Sequence, residues 1–290
     1  MAIKDILVEL SGCDSDGSAL AAAYFVAEPF GARLDILHVQ PGPMDIIVHA
    51  ALGQFTSKMG NTELIHALQH EAENRSLSAK AAYETFANAR FPGGRNAPSG
   101  TSASWRGIEG DPATIVSQEA RYSDLVVVGR GSERDDLPAD AVANILVQCG
   151  RPLLLAPNAA VKSIGRTIAI AWKESAEAAR AVTAAMALIE RAERVLVLTA
   201  DEAHADPVLN LKAAERLAQS LARHGVKSES RRVLSGSELA SHTLARSAAE
   251  AGADLLVMGA YSHSRTRELV FGGFTRELLM RCDLPLLMLH

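Results

Sequence analysis

The segment richest in potential chemistry runs Gly259-Ala-Tyr-Ser-His-Ser-Arg-Thr-Arg-Glu-Leu-Val-Phe-Gly-Gly-Phe-Thr-Arg276. It leaves an apolar run, crosses a polar and basic stretch, and reaches Gly272-Gly273 where an amphipathic pattern begins. Glycines let a backbone approach a ligand closely, and the free N–H groups and positive dipole end of a helix favour phosphate. Thr275 falls in the first turn beside Phe274 and adds a hydroxyl, while Arg265, Arg267 and Arg276 make the surroundings cationic. His263 lies inside the loop next to Arg265, in reach of a ligand or of a domain seam, with no neighbouring nucleophile to suggest catalysis. On spacing alone, a phosphate loop and a plain helix entry flanked by solvated arginines weigh equally.

Other constellations are weaker. Ser11-Gly-Cys-Asp-Ser15 has the outline of the S-G-G-x-D-S loop of ATP pyrophosphatases, but it is one residue short and lacks the second glycine. A loop that caps the next helix, starting near Ser18, is the simpler reading. No G-x4-G-K-[S/T] loop occurs, which disfavours a P-loop NTPase. His66 and His70 share a helix face with Glu63 and Glu71, yet no further ligand is nearby, so no metal is expected. His38 ends an apolar strand and reads as a satisfied core or loop histidine. Glu9 and Trp172 fall at strand ends, where cleft mouths form.

The elements that position these residues are duplicated. Asp124-Leu-Val-Val-Val-Gly129 and Asp254-Leu-Leu-Val-Met-Gly259 are near copies, and Cys149-Gly-Arg-Pro-Leu-Leu-Leu155 matches Cys282-Asp-Leu-Pro-Leu-Leu-Met288. Upstream, Ile6–Leu10 corresponds to Ile168–Trp172, and Leu34–His38 to Val195–Thr199. Internal repetition in the same order implies a tandem duplication, with its seam near Pro157–Gly165 and domains at residues 1–158 and 163–290. Short apolar strands alternate with amphipathic helices, the pattern of a parallel sheet covered on both faces. The fold class is therefore α/β, two tandem doubly wound five-stranded parallel-sheet domains, whose ligands sit beyond the carboxyl ends of strands where the strand order reverses. The first half carries two extra stretches, Pro41–Gly60 and the turn-rich, mobile-looking Pro92–Gly100, with one long helix over Thr62–Arg90 between them.

Composition agrees. The 290 residues are 48% hydrophobic, 22% charged and 4% aromatic, with a net charge of −5. That excludes wholesale disorder and gives no basic excess for a phosphate backbone, so no nucleic-acid partner is expected. No apolar run approaches the roughly 20 residues that span a bilayer. Cys13, Cys149 and Cys282 form neither a disulfide framework nor a zinc spacing and suit a reducing cytoplasm, and Met1–Leu10 reads as a strand rather than a leader.

The loop after Gly259, the preceding Ala-Asp-Leu-Leu-Val-Met, the closing Asp-Leu-Pro-Leu-Leu-Met and the duplication together resemble the universal stress protein family in its tandem form, within the adenine nucleotide alpha-hydrolase-like folds. The resemblance covers nearly the whole chain, and its second half is the more typical. It implies a regulatory stress-response protein, not an enzyme, and ATP or AMP bound through a motif of the form G-x2-G-x9-G-[S/T]. Gly259 matches the first glycine, Ser262 stands at the second, Gly272 holds the third, and Gly273 replaces the hydroxyl residue that Thr275 supplies two positions on. By the same resemblance Met258 and Ala200 line the base side. Lys173 stands where nucleotide-binding members place an aspartate; a lysine accepts no hydrogen bond, which leaves either a phosphate contact by Lys173 or Glu174 as the acceptor in its place. In the first half Ala139 and Asp140 replace the glycine pair, and a carboxylate at a helix start competes with phosphate, so no nucleotide is expected there.

The family's fifth strand forms an edge-to-edge dimer contact, which a duplicated chain can satisfy internally as a pseudo-dimer, leaving a further homodimer open. Three functions follow: a nucleotide-binding regulator, a tandem scaffold of the same fold acting through protein contacts or another small ligand, and, least favoured, a nucleotide hydrolase, since no acid/base or nucleophile pair is visible.

Overall fold

The structure is a computed structural model that describes residues 2–53, 61–94, 96–131, 139–200, 207–234, 238–260 and 273–290. The first half contains β1 (Asp5–Glu9), α1 (Asp16–Ala27), β2 (Arg33–Gln40), α2 (Pro43–Gly53), α3 (Asn61–Arg90), β3 (Ser102–Glu109), α4 (Pro112–Glu119), β4 (Leu125–Gly129), α5 (Ala139–Gln148) and β5 (Leu153–Ala156). The second contains β6 (Thr167–Ala171), α6 (Ala176–Ile189), β7 (Arg194–Ala200), α7 (Pro207–Arg223), β8 (Ser228–Val233), α8 (Ala240–Glu250), β9 (Leu255–Gly259), α9 (Gly273–Arg281) and β10 (Leu286–Leu289).

All ten strands join one sheet in the order β3-β2-β1-β4-β5-β10-β9-β6-β7-β8. Neighbours within each half run parallel, and the halves meet where β5 pairs antiparallel with β10, with Leu154 opposite Leu287. A parallel sheet must be buried on both faces, which explains why the central strands are apolar at every position rather than at alternate ones. Ile6, Val8, Val127, Leu154, Ile170, Val257 and Leu287 face one layer. Leu7, Val126, Leu153, Leu155, Leu256, Leu286 and Met288 face the other. Each layer draws residues from both halves, so the apolar core runs across the β5–β10 seam.

The two aspartates that open the repeated segments tie strands together at the amino end of the sheet. Asp124 accepts the Lys4 and Asp5 backbone N–H groups at 2.8 and 3.1 Å. Asp254 accepts those of Gly165, Arg166 and Thr167 at 3.0 to 3.2 Å, and the Ser163 hydroxyl at 2.7 Å.

The described parts of the extra stretches of the first half pack against the domain. The expected long helix is present as α3, and part of Pro41–Gly60 forms α2. Aromatic side chains pin α3 in place: Tyr83 lies 5.5 Å from Trp105 of β3, and Phe86 lies 6.1 Å from Tyr24 of α1. The stretch Pro92–Gly100 is not a free loop. Ala97 and Phe91 are buried with Tyr24, and the Ser99 carbonyl presses so closely on Gly31, at φ +60°, that a Cβ there would lie 2.7 Å from it. Its glycines and prolines serve a tight packed turn, which composition alone does not separate from a loose one.

Candidate functional site

The strand order of the second half reverses between β6 and β9, where Ala171 pairs with Met258. From their carboxyl ends one connection leads to α6 and the other to α9, helices that contribute to opposite core layers. The crevice expected at such a switch point therefore opens beside Lys173 on one side and Gly259 on the other.

On the β6 side the chain turns tightly into α6. The Ser175 N–H donates to the Lys173 carbonyl at 2.7 Å, and the Ser175 hydroxyl accepts the Ala178 N–H at 3.2 Å as the helix N-cap. Lys173 is exposed. Glu174, the alternative acceptor, pairs at 3.1 Å with Arg216 of α7 on the surface. Glu177 sits in the first turn of α6, where its own backbone N–H, Ser175 and Arg180 hold its carboxyl below the usual range.

On the β9 side Gly259 has a purely steric reason to be glycine. A Cβ there would lie 2.4 Å from the Ala178 nitrogen and 2.6 Å from the Glu177 carbonyl carbon, inside the first turn of α6. Gly129 is its counterpart in the first half, with the Ser15 hydroxyl 2.5 Å from the place a Cβ would take. The glycine common to both repeats thus lets the first helix of each half approach the fourth strand. Gly273, in contrast, opens α9 with nothing among the described residues within 4 Å of where its Cβ would be. Thr275 is buried in the first turn of α9, and Phe274 packs on the second core layer. Ser262, His263, Arg265 and Gly272 lie outside the described residues, as do Arg267 and the rest of 261–272.

Met258 is buried between Ala171 and Met288, and Ala200, half-buried, ends β7 opposite Val233. Two polar atoms at the same carboxyl edge have no partner among the described residues: the Trp172 indole Nε1 and the Thr199 hydroxyl, both buried. Buried polar atoms are normally satisfied, so these are free to bond a ligand or water. Thr199 was not singled out from the sequence, although a hydroxyl ending the apolar run Val195–Leu198 was the available signal.

The equivalent edge of the first half is closed by α3. Gly12, at φ +82°, is so close to α3 that a Cβ would lie 2.2 Å from the Arg75 carbonyl oxygen. The loop that resembled a pyrophosphatase motif is folded around Asp16, whose carboxylate accepts the Ser11 and Gly12 N–H groups, both at 2.9 Å. Beneath α3, the His38 Nδ1 is 2.7 Å from the Leu10 carbonyl, the ring stacks on Trp105, and Nε2 finds no partner among the described residues. Burial, aided by the Arg75 cation and opposed by the Leu10 carbonyl, lowers His38 below its ordinary value. Glu9 is buried here too. Among the described residues no group of three or more metal-ligating side chains occurs, and no described helix is long and apolar enough to cross a membrane.

The residue after Gly129 reaches out of its own half. Arg130 is buried and its guanidinium donates to the Leu278 carbonyl at 3.2 Å and to the Cys282 carbonyl, at the carboxyl end of α9. Burial lowers the Arg130 pKa, against the pull of Cys282 and Asp283, and an arginine remains charged even so.

Residues 165–290 match the Universal stress protein family. Over nearly its whole length the chain is similar in structure to a universal stress protein from Archaeoglobus fulgidus DSM 4304, at 13% identity and a TM-score of 0.67, covering 98% of this chain and 95% of that one. It is similar also to a candidate universal stress protein from Pseudomonas aeruginosa UCBPP-PA14, at 16% identity and a TM-score of 0.58, covering 99% of this chain and 93% of that one. At these identities the structural likeness concerns the fold. No curated protein matches the chain.

Proposed function

From the premise that residues 165–290 are a universal stress protein domain, we infer that the protein is a tandem stress-response regulator whose second half binds an adenine nucleotide, ATP or AMP. The observation that carries this reading is the start of α9 at Gly273, with no described residue within 4 Å of where its Cβ would be, beyond the carboxyl end of β9 and beside the β6–β9 switch point. A helix start of that kind offers free N–H groups and a positive dipole end to a phosphate. The Thr199 hydroxyl and Trp172 Nε1 add polar atoms without a partner among the described residues at the same edge.

In this reading Lys173, Ser262, His263, Arg265, Gly272, Gly273, Phe274 and Thr275 belong to the phosphate end, while Ala200 and Met258 lie toward the base. Gly259 acts indirectly, by setting the distance between β9 and α6. The first half binds no nucleotide: α5 starts at Ala139 rather than at a glycine, and α3 lies against the loop after β1. The cytoplasm is the compartment, and the molecule acts through regulation rather than turnover.

Native mass spectrometry with ATP titration tests the reading. Wild type is expected to take up one ATP, and Gly272→Asp, which sets a carboxylate before the α9 start, is expected to lose it. A wild type indifferent to both ATP and AMP overturns the reading in favour of a scaffold of the same fold. Binding retained in Gly272→Asp overturns the location.

A further inference from the structure

The two halves differ in one long-range connection. Arg130 follows β4 in the first half, and its counterpart after β9 is Ala260, whose methyl group cannot donate a hydrogen bond in return; both backbones make the same bond, Arg130 N–H to the Ala156 carbonyl and Ala260 N–H to the Leu289 carbonyl. The Arg130 guanidinium crosses the β5–β10 seam and takes two carbonyls from the last turn of α9 and the residue after it. The Cys282 carbonyl lies past the helix end, the Leu278 carbonyl also accepts the Cys282 N–H at 3.1 Å, and a cation at this end complements the negative end of the dipole.

The same helix begins at Gly273. With nine residues, α9 extends about 14 Å, so one end lies at the nucleotide site inferred above and the other in the grip of Arg130. Between these ends Glu277 is 3.0 Å from the His242 Nε2 of α8, and α9 also touches α5 at the seam. A short helix clamped at its carboxyl end presents its N–H groups in a fixed direction, whereas one released there frays and shifts.

We propose that Arg130, supplied by the half that lacks the glycine pair at its helix start, is a positioning residue that holds α9 and thereby sets the nucleotide affinity of the other half. The proposal rests on the nucleotide reading and gives the closed first half a role in it: regulation of a site it does not itself contain. Any event in the first half that moves the end of β4 then changes affinity in the second, and nucleotide binding in turn tightens the seam, because coupling of this kind is reciprocal.

The test uses the full chain with Arg130→Met, which keeps an apolar stem, and Arg130→Lys, which keeps the charge. Asp124→Asn, at the opposite end of the sheet, controls for general loss of stability. Backbone hydrogen exchange of residues 273–282 is measured without ligand, and ATP affinity by calorimetry. Losing charge-assisted bonds to two buried carbonyls is expected to speed α9 exchange and to weaken ATP binding, each by about tenfold, in Arg130→Met. Arg130→Lys is expected to recover part of both, and Asp124→Asn to bind ATP as wild type does. Wild-type ATP affinity in Arg130→Met, or an equal loss in Asp124→Asn, overturns the coupling alone. A wild type that binds no ATP overturns the nucleotide reading and the coupling with it.

Discussion

The place a Gly259 side chain would occupy is filled by the backbone of Ala178, whose nitrogen lies 2.4 Å from where a Cβ would be. This contact joins the end of β9 to the first turn of α6. It makes a residue that looks like part of a ligand motif necessary for packing before any ligand arrives.

Gly259→Ala should therefore lower stability by about 1–3 kcal/mol in the ligand-free protein, because backbone rather than a flexible side chain must give way. Gly273→Ala should leave stability unchanged or raise it by up to about 1 kcal/mol, since no described residue lies within 4 Å of where its Cβ would be and alanine favours the helix. Urea unfolding of the two variants without nucleotide checks both. Equal losses would show that Gly259 carries no special steric demand.

Asp254 gathers three backbone N–H groups and one hydroxyl where the second half begins its sheet. Asp254→Ala strands those donors and should cost about 2 kcal/mol. Asp124→Ala, which strands two, should cost less. The comparison is read from urea midpoints, and an Asp124 loss larger than that of Asp254 contradicts the assignment.

His38 supplies a pH dependence with a definite sign. Its folded pKa lies below the ordinary 6.5, chiefly because burial disfavours the imidazolium. As pH falls through 6.5 the unfolded chain binds the proton first, so the stability held above that pH is lost below it. The loss can reach about 1.4 kcal/mol per pH unit while the folded imidazole stays neutral. His38→Asn, which keeps a donor toward the Leu10 carbonyl, should flatten the slope between pH 7.5 and 5.5 in urea unfolding. An unchanged slope would remove His38 as its source.

Much of the architecture was legible in the sequence. The repeats Asp124–Gly129 and Asp254–Gly259, the apolar strand runs and the intervening helical periods already placed the α/β class, the tandem order and the long α3. The site was legible only in part. Gly273 as the start of α9 followed from Gly-Gly before an amphipathic run, but Thr199 went unnoticed because one hydroxyl at a strand end is an ordinary sight. Only its burial without a partner distinguishes it.

The sequence by itself determined what depends on neighbours along the chain: strand and helix periods, helix starts and the internal duplication. Tertiary structure alone decided what depends on residues far apart in the chain: Ala178 against Gly259, Arg75 over Gly12, and Arg130 on the carbonyls of Leu278 and Cys282. Local pattern records which residues suit a strand or a helix turn. Steric exclusion arises only once each half has packed its helices against its own strands and loops, and the Arg130 bonds only once the sheet has brought the two halves together at β5 and β10.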